Sequence, residues 1–268
     1  MMIGKYIACL LVLGLCLRAM GQPGVSALQG PARPGEETKG IAVVELFTSE
    51  GCSSCPPADE LMSKINAAER KRGTGVILLT FHVDYWDRLG WPDRFGSADA
   101  TKRQRDYAAA MRKESVYTPQ VVVNGTTECI GSDEEKVYRA IRVARQTVAA
   151  TEVTARATLE PDAKETPPKP RTLTIDYAAP TVPSGAVAWA FLVEDGLSTQ
   201  VKAGENSGKT LRHDRVVRAM ASEPARAEGK LTLTIPADAS VSMLGVAIVI
   251  QDVQTRRVLG AAECEVPR

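Results

Sequence analysis

Residues 43–59 read VVELFTSEGCSSCPPAD and place two cysteines directly after an apolar stretch. The β-branched run 41–47 predicts a buried strand, and residues 58–72 have the composition of a helix. Cys52 and Cys55 therefore lie where a strand passes into a helix. Two cysteines three positions apart in that setting are typical of a redox-active pair.

The start of the helix favours a thiolate, because its unpaired backbone N–H groups attract negative charge. We therefore expect Cys52 to be the more exposed and more acidic thiol, which attacks a substrate disulfide. Cys55 is expected to be the buried thiol that resolves the mixed disulfide. Two other interpretations stay open: an inert structural disulfide, and a metal site in which two thiolates and a histidine hold Cu(I).

Strand and helix patterns alternate up to residue 150. Strands are predicted over residues 76–83 and 121–123, and helices over residues 98–113 and 133–149. The dipeptide Asn124-Gly125 is a strong hairpin-turn pattern. Strand–helix–strand units with this spacing predict an α/β domain over residues 40–150, with some parallel pairing.

The pattern changes after residue 150 to short strands separated by turn-forming stretches. The predicted strands are residues 153–159, 173–177, 186–193, 230–235, 244–251 and 258–265. Because no long helical pattern lies between them, we expect residues 151–268 to form an all-β, sandwich-like domain.

The first residues have the pattern of an export signal. A basic start is followed by an apolar run, residues 7–17, which is too short to cross a bilayer, and then by small residues. We expect a signal peptide over residues 1–27, a flexible leader over residues 28–39 and a periplasmic or extracellular location. No later stretch is apolar for long enough to predict stable membrane insertion.

The composition excludes several classes of function. The 33 Lys and Arg residues almost balance the 32 Asp and Glu residues, so no basic excess indicates a nucleic-acid partner. The chain has two histidines, His82 and His213, so a three-histidine metal site within one chain is impossible. We expect no resident cofactor, with copper kept for the metal-binding alternative.

Four cysteines remain after the predicted signal peptide. Export places them where disulfides persist. Because Cys52 and Cys55 are expected to pair with each other, Cys129 and Cys264 are left, and we expect them to form a second disulfide. The alternative is two separate buried thiols.

Four segments together resemble a known family. They are VVELFTSEGCSSCPPAD (43–59), FHVDYWDRLGW (81–91), VYTPQVVVNG (116–125) and GENSGKTLRHDRVVR (204–218). In this order they are similar to the secreted, thioredoxin-like family called domain of unknown function 1223. The resemblance implies a thioredoxin-like fold with a segment inserted near residues 84–115, and it implies export, but no established reaction.

The resemblance also implies roles for residues outside the cysteine pair. Thioredoxin-like proteins place a dipeptide such as Thr118-Pro119 opposite their CxxC motif, with the proline in cis, and bind substrate backbone there. They also keep a buried carboxylate near the position of Glu45, where it would shuttle a proton. The alternative for Glu45 is a strand-end carboxylate that faces solvent or pairs with a lysine.

Two further polar motifs are candidates for the site. His82 lies at the carboxyl end of the second predicted strand, where it would tune the thiolate, bind a metal or donate to a substrate. The alternative is a structural histidine. Residues 204–218 contact either the CxxC face or a partner, unless they form a loop held by its own hydrogen bonds.

Two classes of function follow from these patterns. The first is an exported thiol–disulfide oxidoreductase, whose partners are protein or small-molecule thiols and disulfides. The second is a copper-handling or partner-binding module on a thioredoxin scaffold, in which the cysteine pair is a ligand or a staple and no turnover occurs. Fold alone does not decide between them.

Overall fold

The computed structural model describes residues 40–73, 75–160 and 171–267. Their helices are α1 (Pro56–Arg72), α2 (Ala98–Ala110) and α3 (Glu134–Arg145). Their strands are β1 (Ala42–Thr48), β2 (Val76–His82), β3 (Gln120–Val123), β4 (Thr127–Ile130), β5 (Thr154–Leu159), β6 (Thr172–Ala178), β7 (Ala186–Glu194), β8 (Leu197–Gln200), β9 (Thr210–His213), β10 (Val216–Pro224), β11 (Glu228–Thr234), β12 (Leu244–Asp252) and β13 (Val258–Glu265). The predicted signal peptide and leader lie outside the described residues.

One mixed sheet of eight strands organises the fold. Its order is β13-β12-β7-β10-β2-β1-β3-β4, with β2 parallel to both β1 and β10 and the other neighbours antiparallel. Two smaller antiparallel sheets, β11-β6-β5 and β8-β9, complete it. A mixed α/β fold is thereby confirmed. No helix in the described part of the chain has the length and apolarity to cross a membrane.

Alternating side chains of the large sheet enter different cores. From β1, Val44 and Leu46 pack with α1 and α3, whereas Val43 and Phe47 pack on the side of α2. Towards the other end of the sheet, the face of β7 and β12 that does not contact the α2 core packs against the three-stranded sheet. Strand alternation thus lets one sheet serve three cores.

The second half differs from the expectation of a separate sandwich. Its strands β7, β10, β12 and β13 continue the same sheet that contains β1 and β2. The link is β10, which the sequence analysis missed because VVRAMASEP lacks a regular alternation of apolar residues. The boundary at residue 150 stays a prediction, but a sheet crosses it.

The expected disulfide between Cys129 and Cys264 is wrong, since both cysteines are free thiols. Cys129 lies on β4 and packs into the core beneath α1 and α3, whereas Cys264 lies on β13 and packs against the core of the three-stranded sheet. The two side chains therefore enter different cores, and no disulfide joins the two outermost strands, β4 and β13, which are held by strand pairing and by burial.

The turn between β3 and β4 gives a test of the fold. Asn124 and Gly125 both have positive φ, at 48° and 71°, as the predicted hairpin turn requires. A Cβ on Gly125 would lie 1.7 Å from the backbone oxygen of Arg256, whereas a Cβ on Gly185, at φ 79°, would meet nothing within 4 Å.

We expect Gly185→Ala to lower the free energy of unfolding by about 1–2 kcal/mol, the cost of left-handed backbone. Gly125→Ala should cost about 1–3 kcal/mol more, because the backbone of Arg256 must also move. Urea unfolding of both variants measures the difference. Equal losses in the two variants would show that the turn at Gly125 does not contact the backbone of Arg256, which lies between β12 and β13.

Candidate functional site

Cys52 and Cys55 are joined in a disulfide at the carboxyl end of β1, with their Cα atoms 5.4 Å apart. Cys55 is the N-cap residue of α1, and its backbone oxygen accepts bonds from the N–H groups of Ala58 and Asp59. Prolines occupy the first helical positions, where a missing N–H costs least. The predicted position between strand and helix is confirmed.

The expected difference in exposure between the two cysteines is wrong. Cys52 is 0% exposed and Cys55 is 1% exposed. The Nδ2 group of Asn206 donates to the backbone oxygens of both Glu50 and Cys52 at 2.9 Å. The Ser53 N–H donates to Glu205 Oε2 at 3.0 Å. Residues from the second half of the chain thus lie against the cysteine turn, so contact with the CxxC face, one of the interpretations given for 204–218, is observed. The segment also has hydrogen bonds of its own.

Thr118 and Pro119 lie beside the same turn. Their peptide bond is cis, as expected. The Thr118 hydroxyl accepts a hydrogen bond from Trp86 Nε1 at 2.8 Å. Gly131 lies between Pro119 and the first turn of α1. A β-carbon added to this glycine would lie 3.2 Å from Pro119 Cβ and 3.1 Å from the Cβ of Ala58 in that turn. Direct contact between Pro119 and the Cys52 sulfur stays a prediction.

The structure brings Glu45 to Arg103 of α2. Their buried side chains form a bidentate ion pair, with Nε to Oε2 at 2.5 Å and Nη2 to Oε1 at 2.9 Å. The hydroxyl of Tyr107 also donates to Glu45. Since α1 packs on the opposite face of β1, this carboxylate points away from the helix that carries the cysteines. None of the contacts described for Glu45 reaches Cys52 or Cys55.

His82 is fully buried and bonded to Asp93. Its Nδ1 atom lies 2.7 Å from Asp93 Oδ2, which also accepts the backbone N–H of Glu50 at 2.8 Å. Because a carboxylate only accepts, Nδ1 carries the proton. The ring meets that of His213 edge-on, with centroids 4.7 Å apart. His82 is therefore one member of a larger polar cluster.

His213, at the end of β9, lies between two buried carboxylates. Its Nε2 atom is 3.4 Å from Glu50 Oε1, and its Nδ1 atom is 3.9 Å from Asp59 Oδ1. The second oxygens have their own donors: Trp91 Nε1 on Glu50 at 2.8 Å and the Thr48 hydroxyl on Asp59 at 3.3 Å. We call Glu50, Asp59, His82, Asp93 and His213 the buried cluster.

Electrostatics fix the charges within the cluster. Burial alone would lower the pKa of His213, but the carboxylates of Asp59 and Glu50 outweigh it and raise the pKa to about 10. Burial would raise the pKa of Asp93, yet His82 and two backbone N–H groups hold it at about 2. His213 in turn helps to lower the pKa of Glu50 against its burial. At neutral pH the cluster therefore holds the His213 imidazolium together with the ionised carboxylates of Glu50 and Asp93.

Sequence reasoning found one member of this cluster, His82. Glu50 and Asp59 stand within the decisive stretch 43–59, at two residues before Cys52 and four residues after Cys55. Their closeness to the cysteines in sequence was an available sign. His213 stands in a motif singled out for its polar residues, but nothing in its spacing joins it to residue 50. Among the described residues, no three His, Cys, Asp or Glu side chains are placed to hold a metal.

Comparisons with known proteins give a family and a fold. A family model described as "Protein of unknown function (DUF1223)" matches residues 43–251. Protein AGR_C_4864 from Agrobacterium tumefaciens is 25% identical, with a TM-score of 0.63 over 87% of this chain and 97% of that one. HBP35 of Porphyromonas gingivalis is 12% identical, with a TM-score of 0.59 over 86% and 76%, which shows a similar fold alone. No curated protein matches the chain in sequence.

The pKa values of Asp93 and His213 predict how the free energy of unfolding depends on pH. The pKa of Asp93 is lowered from 3.8 to about 2, so its contribution is present above about pH 4 and is lost as the pH falls towards 2. The pKa of His213 is raised from 6.5 to about 10, so its contribution is present below about pH 6.5 and is lost as the pH rises towards 10.

We expect the free energy of unfolding of the oxidised protein to be highest between about pH 4 and 6.5. It should lose about 2 kcal/mol to Asp93 below that range. Urea unfolding at each pH measures this profile. Asp93→Asn should flatten the acidic side and His213→Gln the alkaline side, whereas the exposed control Asp176→Asn should change neither. A wild-type profile that is flat from pH 2 to 4 would contradict the assignment.

The ion pair of Glu45 gives a second stability test. Glu45→Leu should cost about 3–5 kcal/mol, because it leaves the Arg103 guanidinium buried without its partner. The double variant Glu45→Leu with Arg103→Met should cost less than the single one, since no unpaired charge remains. Urea unfolding of the three proteins checks the order. A single variant as stable as the wild type would show that the pair is not buried in solution.

Proposed function

The chain belongs to the DUF1223 family of proteins of unknown function, and we propose that it is an exported thiol–disulfide oxidoreductase. The observation that carries the proposal is the Cys52–Cys55 disulfide between β1 and the first turn of α1. The positive end of the helix dipole of α1 favours negative charge on Cys52 after reduction. The predicted signal peptide supports an oxidising compartment, where such a pair is used.

The strand arrangement around the pair supports a thioredoxin-like scaffold. The run β2-β1-β3-β4 has β1 and β2 parallel and the next two pairs antiparallel. Helices α1 and α3 pack on one face and α2 on the other. This is the order in which thioredoxin-like domains arrange their strands and helices. Thr118 and Pro119 then flank the first turn of α1, where a substrate chain would bind.

The proposed reaction is a dithiol–disulfide exchange. The Cys52 thiolate attacks one sulfur of a substrate disulfide, and the other substrate sulfur leaves as a thiolate. Cys55 loses its proton and attacks Cys52 Sγ, so the internal S–S bond forms as the bond from Cys52 to the substrate breaks. Two electrons pass to the substrate, and a protein or small-molecule dithiol restores the reduced pair. With the steps reversed, the same pair oxidises substrate thiols.

Substrate access requires the segment that carries Glu205 and Asn206, which covers the cysteine turn, to move. Glu205 and Asn206 bind the cysteine turn through Ser53 N–H and Cys52 O, and both sulfurs are buried beneath these contacts. Two glycines, Gly204 and Gly208, flank Glu205 and Asn206 in the chain and have positive φ. Because glycine is the least restricted residue, they provide points at which the backbone can turn. A substrate that displaces these two side chains gains both the backbone donor of Ser53 and the sulfur of Cys52.

The reaction is tested by insulin reduction in the presence of dithiothreitol. Cys52→Ser should reduce the rate to the background of dithiothreitol alone, because the attacking sulfur is lost. Cys55→Ser should accumulate a mixed disulfide on Cys52, detectable by mass spectrometry, because the resolving sulfur is lost. Cys264→Ser, which removes a thiol remote from the pair, is the control and should keep the wild-type rate.

Two results would overturn the proposal. One is a wild-type rate in Cys52→Ser, which would place the chemistry elsewhere. The other is no turnover by the wild type together with stoichiometric Cu(I) binding that Cys52→Ser abolishes, which would make the protein the copper-handling module. Mixed disulfides trapped on Cys55 instead of Cys52 would reverse the roles of the two sulfurs.

A further inference from the structure

Glu50 and Asp59 of the buried cluster flank the cysteine pair in the chain and both contact His213, and the cluster has a composition that a packed core does not need. We propose that His213, held between Glu50 and Asp59, is a positioning residue that stabilises the thiolate form of the Cys52–Cys55 pair after reduction. This inference rests on the proposed oxidoreductase function, and it names the group through which the second half of the chain controls that function.

The backbone fixes the cluster to both cysteines. Glu50 precedes Cys52 by two residues, and one amide, that of Asn206, holds the carbonyl oxygens of both. Asp59 follows Cys55 by one helical turn, and its N–H donates to the Cys55 oxygen at 3.2 Å. Side chains four residues apart on a helix lie on the same face, about 5–6 Å apart at Cβ. His213 contacts the carboxylates of these two flanking residues.

Among the described residues, the cluster holds most of the buried side-chain polar atoms that lack a hydrogen bond, and four of these atoms have only the long ionic contacts of His213 with Glu50 and Asp59. Of the nine buried side-chain N and O atoms without a hydrogen bond in the described residues, five belong to it. They are Glu50 Oε1, Asp59 Oδ1, His82 Nε2, His213 Nδ1 and His213 Nε2. Each such atom costs about 1–3 kcal/mol if it stays unpaired. Replacement of buried ionic groups by apolar side chains is often neutral or stabilising, so stability alone does not explain these groups.

The charges around His213 come from every element packed against it. Glu50 precedes α1, Asp59 lies within it, and Asp93 and His82 reach the site from the loop after β2 and from β2 itself. On its own segment, Lys209 donates to Asn206 Oδ1 at 2.9 Å. The carboxylates of Asp59 and Glu50 keep His213 charged, consistent with the direction of its pKa. Its positive charge is therefore fixed between the carboxylates of Glu50 and Asp59, the residues that flank the disulfide in the chain.

Under the proposal, the thiolate formed on reduction interacts with this imidazolium. An opposite charge nearby favours the ionised form of each partner, so His213 lowers the pH at which the reduced cysteines ionise. By linkage, the thiolate must raise the pH at which His213 loses its proton. The two carboxylates oppose the thiolate, so removal of one of them must act in the direction opposite to removal of the histidine.

The first measurement needs no assay of turnover. Because the chain has two histidines, its imidazole Cε1–H region in NMR contains two signals, and His213→Gln assigns them. We expect the titration midpoint of His213 in wild-type protein to be higher after reduction by at least about half a pH unit. Equal midpoints in the oxidised and reduced protein would overturn the inference.

The second measurement is the pH profile of alkylation of the reduced cysteines, followed by peptide mass spectrometry. His213→Gln should raise the alkylation midpoint of the pair by about one pH unit, and Asp59→Asn should lower it. Glu223→Gln, a carboxylate bonded to Tyr177 at the far end of β10, is the control and should leave the midpoint unchanged. Shifts in the same direction for both cluster variants, or none, would indicate a structural role only and overturn the inference.

The two proposals fail separately. Insulin reduction by Cys52 with no redox shift of His213 would overturn this inference and leave the oxidoreductase in place. Coupled titration of His213 without turnover would overturn the enzyme and leave the electrostatic coupling. If His213→Gln does not fold, the NMR titration of wild-type protein, with His82→Gln as the assigning variant, gives the same decision.

Discussion

Pairing between β2 and β10 is the constraint on which the site depends. It is short: Val216 is the partner of Thr80, whose N–H donates to Arg215 O at 2.8 Å and whose hydroxyl donates to Asp214 O at 2.9 Å. The hydrogen bond of the Thr80 hydroxyl adds a side-chain contact to the backbone pairing and fixes the register of β10 on β2. Because His213 directly precedes these residues in the chain, the pairing of β2 with β10 also places it near the carboxyl ends of β1 and β2.

The position of that pairing explains why the site lies where it does. Parallel strands present their carboxyl ends at one edge of the sheet, so β1 and β2 bring Glu50 and His82 to a common edge. Strand β10 begins beside the end of β2, with Val216 opposite Thr80, and this stagger places the preceding His213 at the same edge. The first turn of α1 closes the same edge and adds Cys55 and Asp59. Two segments more than a hundred residues apart thereby build one polar site, with the Asn206 amide as a direct bond between them.

The protein has two buried ionic groups with different surroundings: the pair of Glu45 and Arg103 on the α2 face of the sheet, and the buried cluster. Arg103 is fully engaged: Glu45 binds it twice, and its guanidinium lies over four aromatic rings at 4.9–5.5 Å. The buried cluster is only partly engaged, with five atoms left without a hydrogen bond among the described residues. A satisfied network stabilises one packing of the core, whereas a cluster with unsatisfied atoms near a cysteine pair is the pattern on which we base the proposed role of His213.

The sequence by itself determined the local elements and the cysteine pair. Apolar runs, the CxxC spacing and the Thr118-Pro119 and Asn124-Gly125 dipeptides act over a few residues, so β1, α1, the cis bond and the hairpin turn could be predicted. Tertiary structure alone decided the membership of the cluster, the burial of Cys52 and the separation of Cys129 from Cys264. Each depends on β10, a strand of weak intrinsic pattern that is fixed by its neighbours. Pairing between distant strands leaves no periodic trace in the chain, because either partner alone is compatible with many others.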